Sequence, residues 1–341
     1  MKKIAFGIIL TFLVGCAQVT SLGLKKHQFG IQPSKIIWIQ YAGLHEEQFA
    51  MLKFSLPAAN SQLTFEKATC VGKIWNYNLY GIRHSSSTGF HAQITGSKNI
   101  QNSCQDYNLT PIWKFFQKSG YESSLVELNA DKNQSKVVNS CAEKDSFYQD
   151  VTRFIASPYL ETKGNLFHVS ENNNPYNVGE IFYDRSCSSK GCFTSVNENM
   201  QSILERISKN KNFYSYIVRD FAYEKALRQK NFKKAKELLF DLEKFLTQLV
   251  NSVNLNETLI LVSSTAPVGI EMPKSVQDWK RFEQDGSGVM MRSDHLLSNV
   301  FAFGARSENF CGVYEEFEIL PRILSGPQQQ GLEFTIVNPF Q

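Results

Sequence analysis

The chain has 341 residues, of which 42% are hydrophobic, enough to bury a sizeable single core. Its 36 basic and 32 acidic residues include Lys2 and Lys3 at the extreme N-terminus, so beyond them the two signs nearly balance. That balance excludes the basic footprint of a nucleic-acid-binding protein.

Lys2 and Lys3 precede an apolar run, Ile4 to Val14, that is too short to cross a bilayer as a permanent helix. Residues 1–15 therefore read as a signal peptide. The run ends in Leu13-Val14-Gly15-Cys16, which resembles the lipobox cut by the lipoprotein signal peptidase. Gly15 is the small residue before the cut, and Cys16 carries the diacylglycerol. Two or three acyl chains on Cys16 suffice for stable anchoring to a lipid bilayer. Residues 16–33 form a tether. Ala17 and Gln18 follow with no Asp, and resemblance to sorted lipoproteins of two-membrane bacteria implies the outer membrane.

Setting Cys16 aside leaves Cys70, Cys104, Cys141, Cys187, Cys192 and Cys311, an even set that suits an oxidising compartment. Cys187 and Cys192 flank Ser188-Ser189-Lys190-Gly191, a spacing that predicts a local disulfide. The other four admit three pairings, and the sequence does not choose among them. A zinc knuckle needs two close cysteine pairs, and there is one.

After the tether, residues 34–341 are expected to form one α/β domain. Ile36-Ile37-Trp38-Ile39 is a buried-strand run stopped by Gly43, and His45-Glu46-Glu47 reads as a solvated helix start. Residues 66–100 hold a loop, a serine cluster and a helix. From about 101 to 210 the chain is rich in Asn, Ser, Lys and aromatics, including Asn172-Asn173-Asn174-Pro175, and its periodicity is weak. That stretch is expected to be an insertion capping one face. Then come a strand, Phe213 to Val218, an amphipathic helix, about Phe232 to Val253, and a buried strand, Leu259 to Val262. A third strand, Val300 to Gly304, and a helix near Glu315 to Leu324 complete the set. Strand–helix–strand units predict a three-layer α/β/α sandwich with a mostly parallel central sheet, its site beyond the carboxyl ends of the strands.

Four segments in this order resemble the alkaline phosphatase and sulfatase superfamily. Lys35 to Leu44 is similar to the first strand, which in active members ends in a metal-binding Asp followed by Gly. Ser85 to Lys98, with Thr95-Gly96 near its end, is similar to the helix that opens on the nucleophile. Thr258 to Ala266 is similar to the strand that ends in Asp-His. Val300 to Phe310 with Gly312 is similar to the closing strand and turn.

The resemblance implies two divalent cations about 4 Å apart, held by carboxylates and imidazoles. The ligand positions are mostly lost here. The first Asp is Ala42, the Asp-His pair is Thr265 and Ala266, and the Glu, Asp and His around the next helix are Arg219, Glu224 and Arg228. The last His falls on Ser293, although Asp294 and His295 lie close enough that a small slip in alignment restores one ligand. No cofactor is therefore expected. A guanidinium cannot be deprotonated to bind a metal, so Arg219, Arg228 or both are expected in the old metal volume, filling it or pairing with an anion; a solvated helix surface is the alternative, for Arg228 above all. Ser86 aligns with the nucleophile, with Ser87 and Thr88 beside it. Hydroxyls at a helix N-terminus also serve as caps, and nothing in the sequence activates them. The leading expectation is a membrane-anchored, non-catalytic protein that binds an anionic ligand or an envelope protein. The alternative is a phosphate or sulfate ester hydrolase with a serine nucleophile.

Overall fold

The computed structural model describes residues 32–56, 62–139, 141–142, 146–170, 176–292 and 295–325. The signal peptide, Cys16, the Asn172–Pro175 run, Ser293 and Asp294 lie outside the described residues.

The fold starts at β1, Lys35–Ala42, whose residues from Ile36 onward are all buried. Its side chains alternate between two cores. Ile37, Ile39 and Tyr41 enter one, and Ile36 and Trp38 enter the other, as a period of two requires when both faces of a sheet are covered. The remaining strands are β2 Cys70–Trp75, β3 Glu122–Leu128, β4 Thr152–Ala156, β5 Asn165–Phe167, β6 Ile181–Asp184, β7 Cys187–Ser188 and β8 Gly191–Cys192. There follow β9 Tyr214–Asp220, β10 Thr258–Thr265, β11 Ile270–Glu271, β12 Met290–Met291, β13 Leu297–Gly304 and β14 Gly312–Glu315. The helices are α1 Phe49–Lys53, α2 Ser86–Thr95, α3 Ile112–Lys118, α4 Val196–Asn210, α5 Ala222–Arg228, α6 Phe232–Ser252, α7 Val276–Asp285 and α8 Ile319–Leu324.

Ten strands form one sheet in the order β14-β2-β13-β10-β1-β9-β3-β4-β6-β5. Every neighbouring pair is parallel except the two that involve β13. Helices cover both faces, so the expected three-layer α/β/α sandwich with a mostly parallel sheet is the observed architecture. Helix α6 buries Phe232, Ala235, Leu238, Leu239, Leu242, Phe245, Leu246 and Leu249, the stripe that a period of 3.6 lays along one side. Asn231 caps its N-terminus by accepting the Lys234 N–H at 3.1 Å. On the opposite face, α3 contributes Ile112 and Trp113, and α8 contributes Ile319, Leu320 and Ile323.

Residues 101–210 differ from expectation. Instead of capping a face, they add β3, β4, β6 and β5 to the sheet's edge and supply α3 and α4 to its two faces. The strands are short, with three residues in β5 and four in β6, and so leave little periodic trace among the Asn and Ser. Strand β2 also lies where only a loop and a helix are expected.

The disulfide between Cys187 and Cys192 forms as the spacing predicts, closing the β7–β8 hairpin. Of the three open pairings, the structure has Cys70–Cys311 and Cys104–Cys141. The first ties β2 to the residue before β14 across 241 positions of sequence. No helix among the described residues is long and apolar enough to cross a membrane.

Candidate functional site

The carboxyl ends of β1, β9 and β10 converge on the N-terminus of α2, where the fold places its working edge. Gly43 turns the chain beyond β1 with φ +84°, and a Cβ there would press on Glu224 Cα at 3.0 Å. Glu224 is thereby held against the end of β1, as the aligned segments imply.

Ser85 caps α2. Its Oγ accepts the Thr88 N–H at 3.3 Å and lies 3.1 Å from Ser87 Oγ and 2.9 Å from Thr88 Oγ1. The capping expected of this serine cluster thus falls on Ser85, one residue before the aligned Ser86. Ser86 and Ser87 are each 2% exposed and Thr88 is 5% exposed, so all three hydroxyls face the interior. Gly96, with φ +64°, closes the helix as its C-cap.

The imidazole nearest these serines is committed elsewhere. His84 donates from Nδ1 to the Ser85 carbonyl at 3.0 Å, and its Nε2 pairs with the Glu316 carboxylate. Burial alone would depress its pKa, but the charge and hydrogen bond of Glu316 and the Ser85 carbonyl outweigh it and raise the value. Both nitrogens are thus engaged by groups other than the serine hydroxyls. Glu316 also accepts from Asn76 Nδ2 and from Thr265 Oγ1, each at 3.0 Å. Thr265, standing where the resemblance puts a ligand Asp, therefore locks the end of β10 to the C-terminal segment. Helix α2 crosses this junction so closely that a Cβ at Gly89 would collide with Thr265 Oγ1 and His84 Cε1.

An apolar cluster lies at the strand ends. Ala42, Phe90, Ala130 and Phe221 form a separate buried cluster, and the Phe90 and Phe221 rings meet edge-on with centroids 5.4 Å apart. Ala42 occupies the position of the first metal-binding Asp, and Phe90 lies one helical turn after Ser86. Glu224 is the one carboxylate left among the aligned positions. Its Oε1 accepts from Arg228 Nε at 2.7 Å, across the i,i+4 spacing of α5. A methyl group, two phenyl rings, a committed threonine and a carboxylate already holding a guanidinium do not fit a pair of divalent cations.

Arg219 and Arg228, either or both expected in the old metal volume, are separated. Arg228 is on α5 with its side chain 42% exposed. Arg219 is 1% exposed and turns under α2, where Nε donates to Gln40 Oε1 at 2.8 Å. Gln40 in turn donates to Gln93 Oε1 at 3.1 Å, and Arg219 also hydrogen-bonds Tyr148. Burial raises the pKa of the neighbouring Glu127, and Arg219 partly opposes that shift. Buried beneath α2, Arg219 is not placed to receive an anion from solvent. On the same side His91 is fully buried, stacked on Phe147, and donates from Nε2 to the Asp106 carbonyl at 3.1 Å. Burial pushes its pKa down to about 3. Asp220, at the end of β9, is pushed up to about 6 by burial, which outweighs its hydrogen bonds from Ala222 N and Asn129 Nδ2.

One group escaped the sequence reading. His45, Glu47 and His295 bring three ligand atoms within 4.8 Å of one another. His45-Glu46-Glu47 is a helix start as expected, with His45 capping the 3-10 turn Glu46–Gln48, but His45 itself is buried. His295 reaches it because β13 is antiparallel, so the segment leading into β13 arrives at the carboxyl edge of β1.

No family model matches the chain, and no curated protein matches it. Solved structures do. The alkaline phosphatase of the Antarctic bacterium TAB5 superposes with a TM-score of 0.63 at 15% identity, covering 86% of this chain and 98% of that one. A cold-active alkaline phosphatase from the psychrophile Shewanella sp. gives 0.63 at 12% identity, with coverages of 85% and 98%. The Thermus thermophilus enzyme gives 0.61 at 13% identity, with coverages of 90% and 94%. The chain has the alkaline phosphatase-like fold.

Proposed function

We propose that this protein is a non-catalytic, lipid-anchored envelope protein that uses an alkaline phosphatase-like fold for binding. One observation carries the reading. Ala42, at the position that the resemblance assigns to a metal-binding Asp, is buried in an apolar cluster with Phe90, Ala130 and Phe221. Without metal ions to polarise a phosphate or lower the pKa of a hydroxyl, a serine needs a neighbouring base. The adjacent His84 is occupied by Glu316 and the Ser85 carbonyl, and the Ser86 hydroxyl is shut away from substrate. These features together disfavour the hydrolase alternative.

The ligand class that suits the remaining chemistry is anionic: a phosphate, a sulfate, or an envelope component carrying such groups or a glycan carboxylate. Arg228 is half exposed at the rim, and the exposed Arg83 immediately precedes His84 and Ser85. Attachment follows from the lipobox. Acylated Cys16 holds the domain to the bilayer, in the outer membrane by its flanking residues, and the disulfides suit that oxidising side.

The test is thermal stabilisation by phosphate, sulfate and acidic glycans, read beside turnover of the corresponding aryl esters. A rise in Tm that Arg228→Ala diminishes, with no turnover, supports the reading. Turnover, or indifference to every anion, contradicts it.

A further inference from the structure

We propose that His45, Glu47 and His295 form a binding site for one divalent transition-metal ion, zinc by its donor set. The site uses none of the positions 42, 219, 224, 228, 265 and 266, and His295 stands two residues past the aligned Ser293. The inference goes beyond the reading above and does not depend on it.

The geometry converges from two segments. The 3-10 turn after β1 supplies His45 and Glu47. His45 Nδ1 accepts the Glu47 N–H at 3.4 Å, which commits that nitrogen to the cap and leaves Nε2 for a ligand. His295 comes from the segment entering β13, and its Nε2 is buried with no hydrogen-bond partner. A buried imidazole nitrogen without a partner asks for an explanation, and a bound cation supplies one. The two rings stack with centroids 4.1 Å apart and planes 11° from parallel.

The three ligand atoms lie within 4.8 Å of one another. Donors bonded to one tetrahedral zinc at about 2.0–2.1 Å are about 3.4 Å apart, so side-chain rotation of an ångström or so closes the set. Two imidazoles with one carboxylate match zinc rather than magnesium or calcium, which take oxygen donors.

The supporting structure is rigid. Gln48 Oε1 accepts the His45 N–H at 2.9 Å, and its Nε2 donates to the Gly43 and Val268 carbonyls at 3.2 and 2.7 Å. Tyr223 Oη holds the same amide oxygen at 2.8 Å. The His295 N–H is held by the Pro267 carbonyl at 3.2 Å, next to the Val268 that Gln48 grips. One buried glutamine thus links both histidine segments. Beyond them opens a cleft of about 430 Å³ whose lining includes Lys73, Trp75 and Asn299. The Lys73 charge, adverse to a cation, is offset by Glu46 at 2.8 Å. Three protein donors leave the fourth position to water, facing that cleft.

The experiment is a calorimetric titration of the full chain, stripped of metal, with zinc and with magnesium. It is repeated on His295→Ala, His45→Asn, Glu224→Gln and Ser86→Ala, each checked for folding by circular dichroism. Asn at position 45 preserves an acceptor for the Glu47 N–H, so its effect reports on ligation rather than capping. The expected result is one zinc per chain, no magnesium, at least about a 100-fold loss of affinity in both histidine variants, and no change in the other two. Absence of zinc binding by the folded wild type, or affinity unaffected by both histidine variants, overturns the site and leaves the non-catalytic reading intact. Two zinc ions per chain lost on Glu224→Gln overturn both.

Discussion

Phe90 on α2 and Phe221 at the end of β9 meet edge-on, with ring centroids 5.4 Å apart, in the buried cluster that contains Ala42. The contact joins the helix that carries the serine cluster to the strand edge that the resemblance assigns to metal ligands. In an active centre of this type that junction must hold charge and admit substrate. Here two phenyl rings and the Ala42 methyl meet there.

If the cluster is a packed plug, truncating either ring leaves a cavity. Phe90→Ala and Phe221→Ala are each expected to cost about 3–5 kcal/mol of stability by urea unfolding. Because the rings touch, the double variant should depart from additivity by roughly 0.5–1.5 kcal/mol. Costs under about 1 kcal/mol would mean that the rings line an open, solvated site.

His91 makes the fold acid-sensitive. Its folded pKa is about 3, below the ordinary histidine value, because protonation would bury a second N–H where Nδ1 has no partner. Below about pH 6.5 the unfolded chain takes up a proton that the native state refuses. Stability is therefore full above that pH and falls progressively toward pH 3, by on the order of 4 kcal/mol from this group. Asp220, pushed up to about 6, has the opposite slope between its ordinary value and 6. Comparing wild type with His91→Gln at pH 7 and pH 4.5 isolates the histidine. The glutamine can still donate to the Asp106 carbonyl, and its pH slope should be shallower.

The Cys70–Cys311 bond closes a loop spanning 241 positions of sequence, the longest of the three. Loop-closure entropy assigns it on the order of 5 kcal/mol. Cys70→Ala with Cys311→Ala should lower the urea midpoint more than removing Cys187 and Cys192, which lie five positions apart. Equal effects would show that strand pairing already fixes β2 and β14.

Much of this architecture is legible in the sequence. Ile36 to Ile39, Leu259 to Val262 and Val300 to Phe303 are apolar runs long enough to mark central strands, and α6 declares itself by its stripe. Gly43, Gly96 and Gly304 stand at turns with positive φ, so the punctuation between elements is legible too. Residues 101–210 are not, because β5 and β6 are too short to carry a period. The direction of β13 is also hidden, since a buried strand looks the same read parallel or antiparallel. That one ambiguity conceals the meeting of His45 with His295. Arg219 is the clearest misreading at the site. Its place near a strand end suggests a residue facing ligand, whereas alternation along β9 turns it under α2 toward Gln40.

The most direct test of the central claim is steady-state turnover of aryl phosphate and aryl sulfate esters by the purified full chain with zinc and magnesium supplied in excess. The account predicts a rate no higher than that of Ser86→Ala and of buffer alone. Metal-dependent turnover that Ser86→Ala abolishes would contradict it.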